Sequence, residues 1–82
     1  MRAIRIHVDR HVRVISETAE GVHLEGSTRL QPGQLIDLVP SSAAAVIRRA
    51  CVMTWSVARL GTGGPTYSGE CLWEHGTGQS LP

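Results

Sequence analysis

Apolar and polar residues alternate along most of the chain, as they do in strands that bury one face. In the first such run, Ile4, Ile6 and Val8 alternate with polar residues. Because successive side chains of a strand point to opposite faces, this period of two predicts a half-buried strand. Further strand-like runs lie at about residues 11–15, 21–25, 34–39, 46–59 and 66–73.

Turn-forming residues separate these runs. Pro32 and Gly33 give a strong turn signal, because proline presets the first turn torsion and glycine accepts a positive φ. A second break, Pro-Ser-Ser, lies at residues 40–42. The Gly-rich segment 61–65 predicts a hairpin between the last two strands.

Residues 43–59 allow two interpretations. The alanine-rich part, 43–49, has good helix propensity, whereas the residues after it are β-branched or aromatic. We expect one long strand from about Val46 to Arg59, with a helix left open for 43–49. The whole pattern predicts an all-β fold, a small antiparallel β-barrel of about six strands without a substantial C-terminal helix.

Length and charge limit the function. With 82 residues the chain forms one domain, which we place at 1–74 with a flexible tail at 75–82. A core this thin stabilises a domain by about 5 kcal/mol or less, so a homodimer is an open alternative to a monomer. The net charge is +1 and all eight basic residues are arginine. Nucleic acid is therefore not the expected partner, because its binders present a basic face.

Neither the cysteines nor the histidines have the spacing of a metal site. Cys51 and Cys71 form no Cys-x-x-Cys pair, so we expect two free thiols, with a disulfide as the alternative. The histidines fall on outward strand positions or in the tail: His7, His11, His23 and His75. No convergent acid, base and nucleophile can be assembled, so we expect a protein without catalytic activity, metal or cofactor. No leader or membrane-spanning run occurs, which predicts a cytoplasmic protein without membrane insertion.

The order of features resembles the PilZ domain, a small bacterial β-barrel whose typical members bind the second messenger cyclic di-GMP. The resemblance covers roughly residues 10–74. It rests on four segments, each weakly specific alone: Gly21–Leu24, Leu30–Leu38, Val52–Trp55 and Tyr67–Trp73.

The functional signature of that family is Arg-x-x-x-Arg followed by Asp/Asn-x-Ser-x-x-Gly. Here the second part is degraded: Thr18 stands where serine is usual, Ser16 replaces the acidic or amide residue, and Gly21 matches. The first part lacks its spacing, and the nearest arginines are Arg10 and Arg13. The resemblance implies that these five residues correspond to the ligand site, in which arginines stack on guanine and bind its edge.

Three functions are compatible with these features. The first is a non-catalytic PilZ-like regulatory or adaptor module of cyclic di-GMP signalling, which binds a partner protein and has weak or no affinity for the nucleotide. Glu17 and Glu20 favour it, since they would repel a dianionic ligand. The second is a receptor that still binds cyclic di-GMP or another nucleotide. The third is a small barrel that binds nucleic acid, with Trp55 or Trp73 as stacking platforms.

Overall fold

The computed structural model describes residues 3–42 and 44–74, and these residues form seven β-strands and no helix. The predicted tail at 75–82 lies outside the described residues. The strands are β1 (Ile4–His7), β2 (Val12–Glu17), β3 (Gly21–Gly26), β4 (Leu35–Val39), β5 (Arg48–Val52), β6 (Ser56–Gly61) and β7 (Gly64–Trp73). The predicted all-β class is confirmed.

The strands form one curled sheet. Their order is β1-β4-β5-β7-β3-β2, and β6 pairs with β7 outside this path. β1 and β2 therefore occupy the two ends of the order, although only residues 8–11 separate them in the chain. A bridge between Val8 and Val12 brings the two ends together. The sheet curls into a half-barrel, which agrees with the predicted small barrel.

One pairing departs from the predicted antiparallel arrangement. β1 runs parallel to β4, with Ile4 beside Ile36. The reason is the turn after β1, in which the His11 amide donates to the His7 carbonyl at 2.8 Å and Asp9 adopts a φ of 69°. This turn carries the chain to the far end of the sheet, so β1 and β2 do not form a hairpin.

The core lies on the inner, concave face of the half-barrel. Alternate residues of the paired strands supply it, and its largest fully buried side chains are Leu24, Ile36, Val52 and Cys71. The remaining buried apolar residues are Ile6, Val12, Val22, Leu30, Leu38, Ala50 and Trp73. Burial of each larger aliphatic side chain contributes roughly 1.5–3 kcal/mol, so this single layer accounts for most of the stability.

The long strand expected from about Val46 to Arg59 is wrong in its continuity. The structure contains β5 and β6, separated by residues 53–55. Both strands pair with the same edge of β7. β5 pairs with the last residues of β7, and β6 pairs with the first residues of β7. The break occurs because the amides of Met53 and Thr54 both donate to the Glu70 carbonyl, which interrupts the regular ladder.

The predicted turn before β4 is present. Gly33 has a φ of 88°, a conformation that favours glycine, and the amide of Gln34 donates to the Gln31 carbonyl at 3.1 Å. The Gly33 amide in turn donates to the Val52 carbonyl at 2.7 Å. The turn is thereby attached to the end of β5.

Candidate functional site

The motif residues begin inside a strand. Ser16 and Glu17 belong to β2, which extends two residues beyond the predicted run at 11–15, so the loop before β3 comprises only residues 18–20. β2 extends because Ser16 and Glu17 pair with His23 and Val22 across a bulge at Ile15.

Thr18 uses its polar atoms to close this short loop. Its amide donates to the Gly21 carbonyl at 2.9 Å, and its hydroxyl accepts from the amides of Glu20 and Gly21 at 3.2 Å each. Its carbonyl accepts from the indole Nε1 of Trp73 at 3.1 Å. Thr18 therefore fastens the β2–β3 turn to the end of β7.

Gly21 has a packing role in the same turn. A β-carbon at this position would lie 2.2 Å from the Cys71 carbonyl oxygen, so any side chain would push β3 away from β7. The match of Gly21 to the PilZ motif is thus accounted for by strand packing. Its amide is directed to Thr18, as described above.

Ser16, Thr18 and Gly21 line one depression. Its volume is about 300 Å³, and Met53 and Leu72 supply part of its apolar wall. The other lining residues are Glu20, Val22, His23, Glu70 and Cys71. Two carboxylates border this depression, which disfavours a phosphodiester ligand.

Arg10 and Arg13 lie elsewhere. They line a separate depression of about 440 Å³ beside the turn after β1. Arg13 donates to Glu25 at 2.7 Å, and Arg59 approaches the same carboxylate to 3.9 Å. The hydrogen bond from Arg13 holds the pKa of Glu25 below its ordinary value.

The structure therefore divides the five motif residues into two groups. Arg13 is near the start of β2 and Thr18 follows its end, so at about 3.3 Å per residue they are about 16 Å apart along the strand. One group is a pair of arginines, of which Arg13 is bound to a carboxylate; the other is a turn whose polar atoms bind each other.

A third depression lies where the half-barrel is open, and we call it the seam cleft. It separates the end of β2 from the segment that follows β4, and its volume is about 360 Å³. Apolar groups predominate among its lining residues, which are Val8, Val14, Glu17, Leu38, Pro40, Ser41, Ser42, Ala45, Val46, Arg48 and Trp73. Val14 and Val46 remain 37% and 76% exposed.

A stacked pair forms the floor of the seam cleft. The guanidinium carbon of Arg48 lies 3.7 Å from the centre of the Trp73 ring, and Arg48 also donates to Glu17 at 3.1 Å. The cation lies over the Trp73 ring, and the Glu17 carboxylate balances its charge. The floor is thus an amphipathic surface.

Sequence reasoning anticipated part of this geometry. The alternation of a strand places the adjacent Arg48 and Arg49 on opposite faces, and they lie there: Arg48 lies over Trp73, whereas Arg49 bonds Asp37 through two nitrogens at 2.8 and 3.3 Å. Sequence reasoning missed the seam cleft, because residues of β2, β7 and the segment after β4 meet only through tertiary folding.

The tryptophans are anchored in the fold. Trp73 is 7% exposed, and Trp55 is half-buried with its Nε1 donating to the Thr28 carbonyl at 3.1 Å. Trp55 contributes to a depression of about 570 Å³ that also includes Arg29 and Tyr67. The stacking-platform hypothesis therefore depends on Trp55 and Tyr67 and not on Trp73.

The two cysteines are free, as expected. Cys71 is buried and Cys51 half-buried. Burial raises the pKa of the Cys71 thiol to about 11, with a smaller contribution from Cys51. Within residues 3–42 and 44–74, no three His, Cys, Asp or Glu side chains come together as a metal site. That same part of the chain contains no helix able to cross a membrane.

Comparison of the chain with protein-family profiles, with curated proteins and with solved structures found no match in any of the three. Its class is therefore defined by its own fold, a small all-β half-barrel.

Proposed function

We propose that this chain is a PilZ-like, non-catalytic adaptor of bacterial cyclic di-GMP signalling that acts through contacts with a protein partner and binds the nucleotide weakly or not at all. The proposal takes the family from the resemblance in the sequence. It takes the mode of action from the geometry of the motif residues and of the seam cleft.

The observation that carries the proposal is that the motif residues Arg13 and Thr18 are bonded to other residues of this chain. Arg13 is bound by Glu25, and the Thr18 hydroxyl and carbonyl are bound by the turn and by Trp73. A ligand would have to replace these bonds before it could use the same atoms, and each replacement reduces its net binding energy. The degraded motif therefore serves the fold.

The seam cleft supplies the contact surface in this proposal. Val46 is 76% exposed beside the Arg48–Trp73 stack, so apolar area lies next to a charged pair. Protein interfaces combine these features, with an apolar centre and arginine or aromatic anchors. We assign the cleft to an apolar side chain of a partner protein, which would pack over the Arg48–Trp73 stack beside Val46.

The nucleotide part is tested by calorimetric titration with cyclic di-GMP, with GTP and cyclic AMP as controls. At about 100 µM protein, micromolar affinity gives measurable heat. We expect no specific binding. Saturable binding of cyclic di-GMP that is lost in the Arg10→Ala/Arg13→Ala double variant, but kept in Arg29→Ala, would overturn this part of the proposal.

The protein-binding part is tested by capture from cells that express the natural gene. The tagged chain is compared with Val46→Asp in the seam cleft and with Leu60→Asp on β6, since the two side chains are similarly exposed at 76% and 79%. We expect a specific partner that the wild type and Leu60→Asp retain and Val46→Asp loses. Equal retention by both variants, or no specific partner, contradicts the assignment.

A nucleotide receptor is the second candidate. One observation favours it: Ser16, Thr18 and Gly21 line a single depression of about 300 Å³. A receptor of this kind would bind through that depression without Arg10 and Arg13, which lie at the other end of β2. Binding that survives the double arginine variant and is lost on Ser16→Ala identifies it.

A further inference from the structure

The hairpin formed by β6 and the first half of β7 carries an unpaired strand edge; we call residues 56–66 the arm. β6 pairs with β7 on one side, and within the described residues no strand pairs with its other side. All six residues of β6 are exposed. An open edge presents unpaired amide and carbonyl groups, which are a template for another strand.

A bulge gives this edge strand an unusual distribution of side chains. The register shifts between Val57 and Arg59, so Val57 lies opposite Tyr67 and Leu60 lies opposite Pro65. Residues opposite each other share a face of the sheet. Val57 and Leu60, three positions apart, therefore share the face of Tyr67 and Pro65, whereas in a regular strand they would point to opposite faces.

The result is an exposed apolar stripe on the arm. Val57 is 51% exposed and Leu60 is 79% exposed, the highest exposure among the large apolar side chains of the described residues. Arg59 lies on the other face, opposite Thr66, and approaches Glu25 to 3.9 Å. In an isolated monomer the apolar side chains of this stripe are exposed to water, and this exposure is energetically unfavourable.

The stripe can pair with the same stripe of a second copy related by two-fold symmetry. Val57 and Leu60 lie on the inner face, with the bulge at Ala58 and the outward Arg59 between them. An antiparallel pair of β6 strands centred between Ala58 and Arg59 places Val57 opposite Leu60 of the second copy on the inner face, twice by symmetry. Without the bulge, Val57 and Leu60 would point to opposite faces, and the same register would place an inward Val57 opposite an outward Leu60.

We propose that β6 is a self-association surface, and that two copies of this chain dimerise through antiparallel β6–β6 pairing, with Val57 and Leu60 forming a shared apolar strip. The inference is independent of the proposed adaptor function. Glu25 of each copy lies near its own Arg59 and reduces the repulsion between the two arginines that the symmetry brings together. A short strand pair buries little area, so we expect micromolar affinity.

Sedimentation equilibrium over about 5–500 µM protein tests the proposal, because this range brackets micromolar dissociation constants. We expect a monomer–dimer equilibrium for the wild type. Leu60→Asp should weaken it at least about 100-fold, since the substitution enters the symmetric interface twice. Val46→Asp, equally exposed but in the seam cleft, should dimerise as the wild type does. Far-UV circular dichroism confirms that both variants are folded.

The register has its own readout. In a mixture of isotope-labelled and unlabelled chains, filtered NOE spectra report only contacts between copies, and we expect them between the methyl groups of Val57 and Leu60. A wild type that stays monomeric over the whole range overturns the proposal. Dimerisation that Val46→Asp abolishes and Leu60→Asp leaves intact also overturns it, and so does a dimer without the Val57–Leu60 contacts.

Discussion

The two halves of β7 have the same strand geometry and different surroundings. The second half, from Gly69 to Trp73, lies between β3 and β5, and its inward residues Gly69, Cys71 and Trp73 are buried. The first half pairs with β6, and its first two residues, 64 and 65, are exposed. Burial therefore alternates along the second half of the strand and not along the first, because different segments cover the two halves.

Gly69 marks the border between the two halves. A β-carbon there would lie 1.7 Å from the carbonyl oxygen of Thr54, in the segment where β5 ends and β6 begins. Only glycine allows this close crossing. The part of β7 that precedes Gly69 extends out of the core and forms the arm together with β6. A single strand thus serves both as the centre of the barrel and as the support of an exposed surface.

Trp73→Ala tests the buried half and should have the largest effect. It removes a core side chain, the hydrogen bond to Thr18 and the support of Arg48, and we expect a loss of about 3–5 kcal/mol in the free energy of unfolding. Urea unfolding followed by circular dichroism measures it. Leu60→Ala, on the arm, should change stability by less than about 0.5 kcal/mol. Comparable losses would contradict the distinction between the halves.

Alkaline pH should have the second largest effect and should lower the free energy of unfolding through Cys71 in the buried half. The folded-state pKa of Cys71 is raised from its ordinary 9.0 to about 11, so the unfolded chain releases this proton first. The stabilisation is fully present below pH 9 and is lost as the pH rises toward 11, a change of about 3 kcal/mol. Urea unfolding at several pH values measures it. Cys71→Ala should flatten the decline between pH 9 and 11, and an unchanged decline would refute the assignment.

Gly69→Ala tests the border itself. The added methyl group forces the Thr54 segment away from β7, and we expect a loss of about 1–3 kcal/mol. Gly63→Ala in the arm turn is the matched control, because nothing lies within 4 Å of a β-carbon there. Thermal unfolding of the two variants gives the comparison. If both lose equal stability, backbone freedom and not the close crossing explains Gly69.

Arg13→Ala should have the smallest effect on stability and a clear effect on titration. Without the hydrogen bond from Arg13, the pKa of Glu25 should rise toward its ordinary value, which an NMR titration of its carboxyl carbon measures. Glu25 contributes stability above its unfolded-state pKa that is lost as pH falls through the folded-state value, so this acid-dependent loss should shrink. Arg49→Ala should instead raise the pKa of Asp37 and leave Glu25 unchanged.

Local patterns were sufficient for the strands and most turns. The alternation around Ile6 and Leu24 predicted inward residues that are buried, and Pro32–Gly33 predicted a turn that is present. The free cysteines also agree with the prediction. The interruption at 53–55 was not predictable, because it depends on bonds to Glu70 in a strand more than a dozen residues later.

The candidate site likewise combines features that the sequence predicts with features that depend on contacts between distant residues. The resemblance to the PilZ motif implied one ligand site for Arg10, Arg13, Ser16, Thr18 and Gly21, whereas the fold places them in two depressions. The bond between Arg13 and Glu25 depends on the register of β2 against β3, which a bulge shifts. No local pattern specifies that register.

The sequence by itself determined the all-β class and the positions of most strands, because alternation and turn chemistry act between neighbouring residues. Only the tertiary structure decided the parallel pairing of β1 with β4, the opening of the seam cleft and the free edge of β6. These features arise from contacts between distant segments, whose free energy depends on how the whole sheet curls and on which edges remain uncovered.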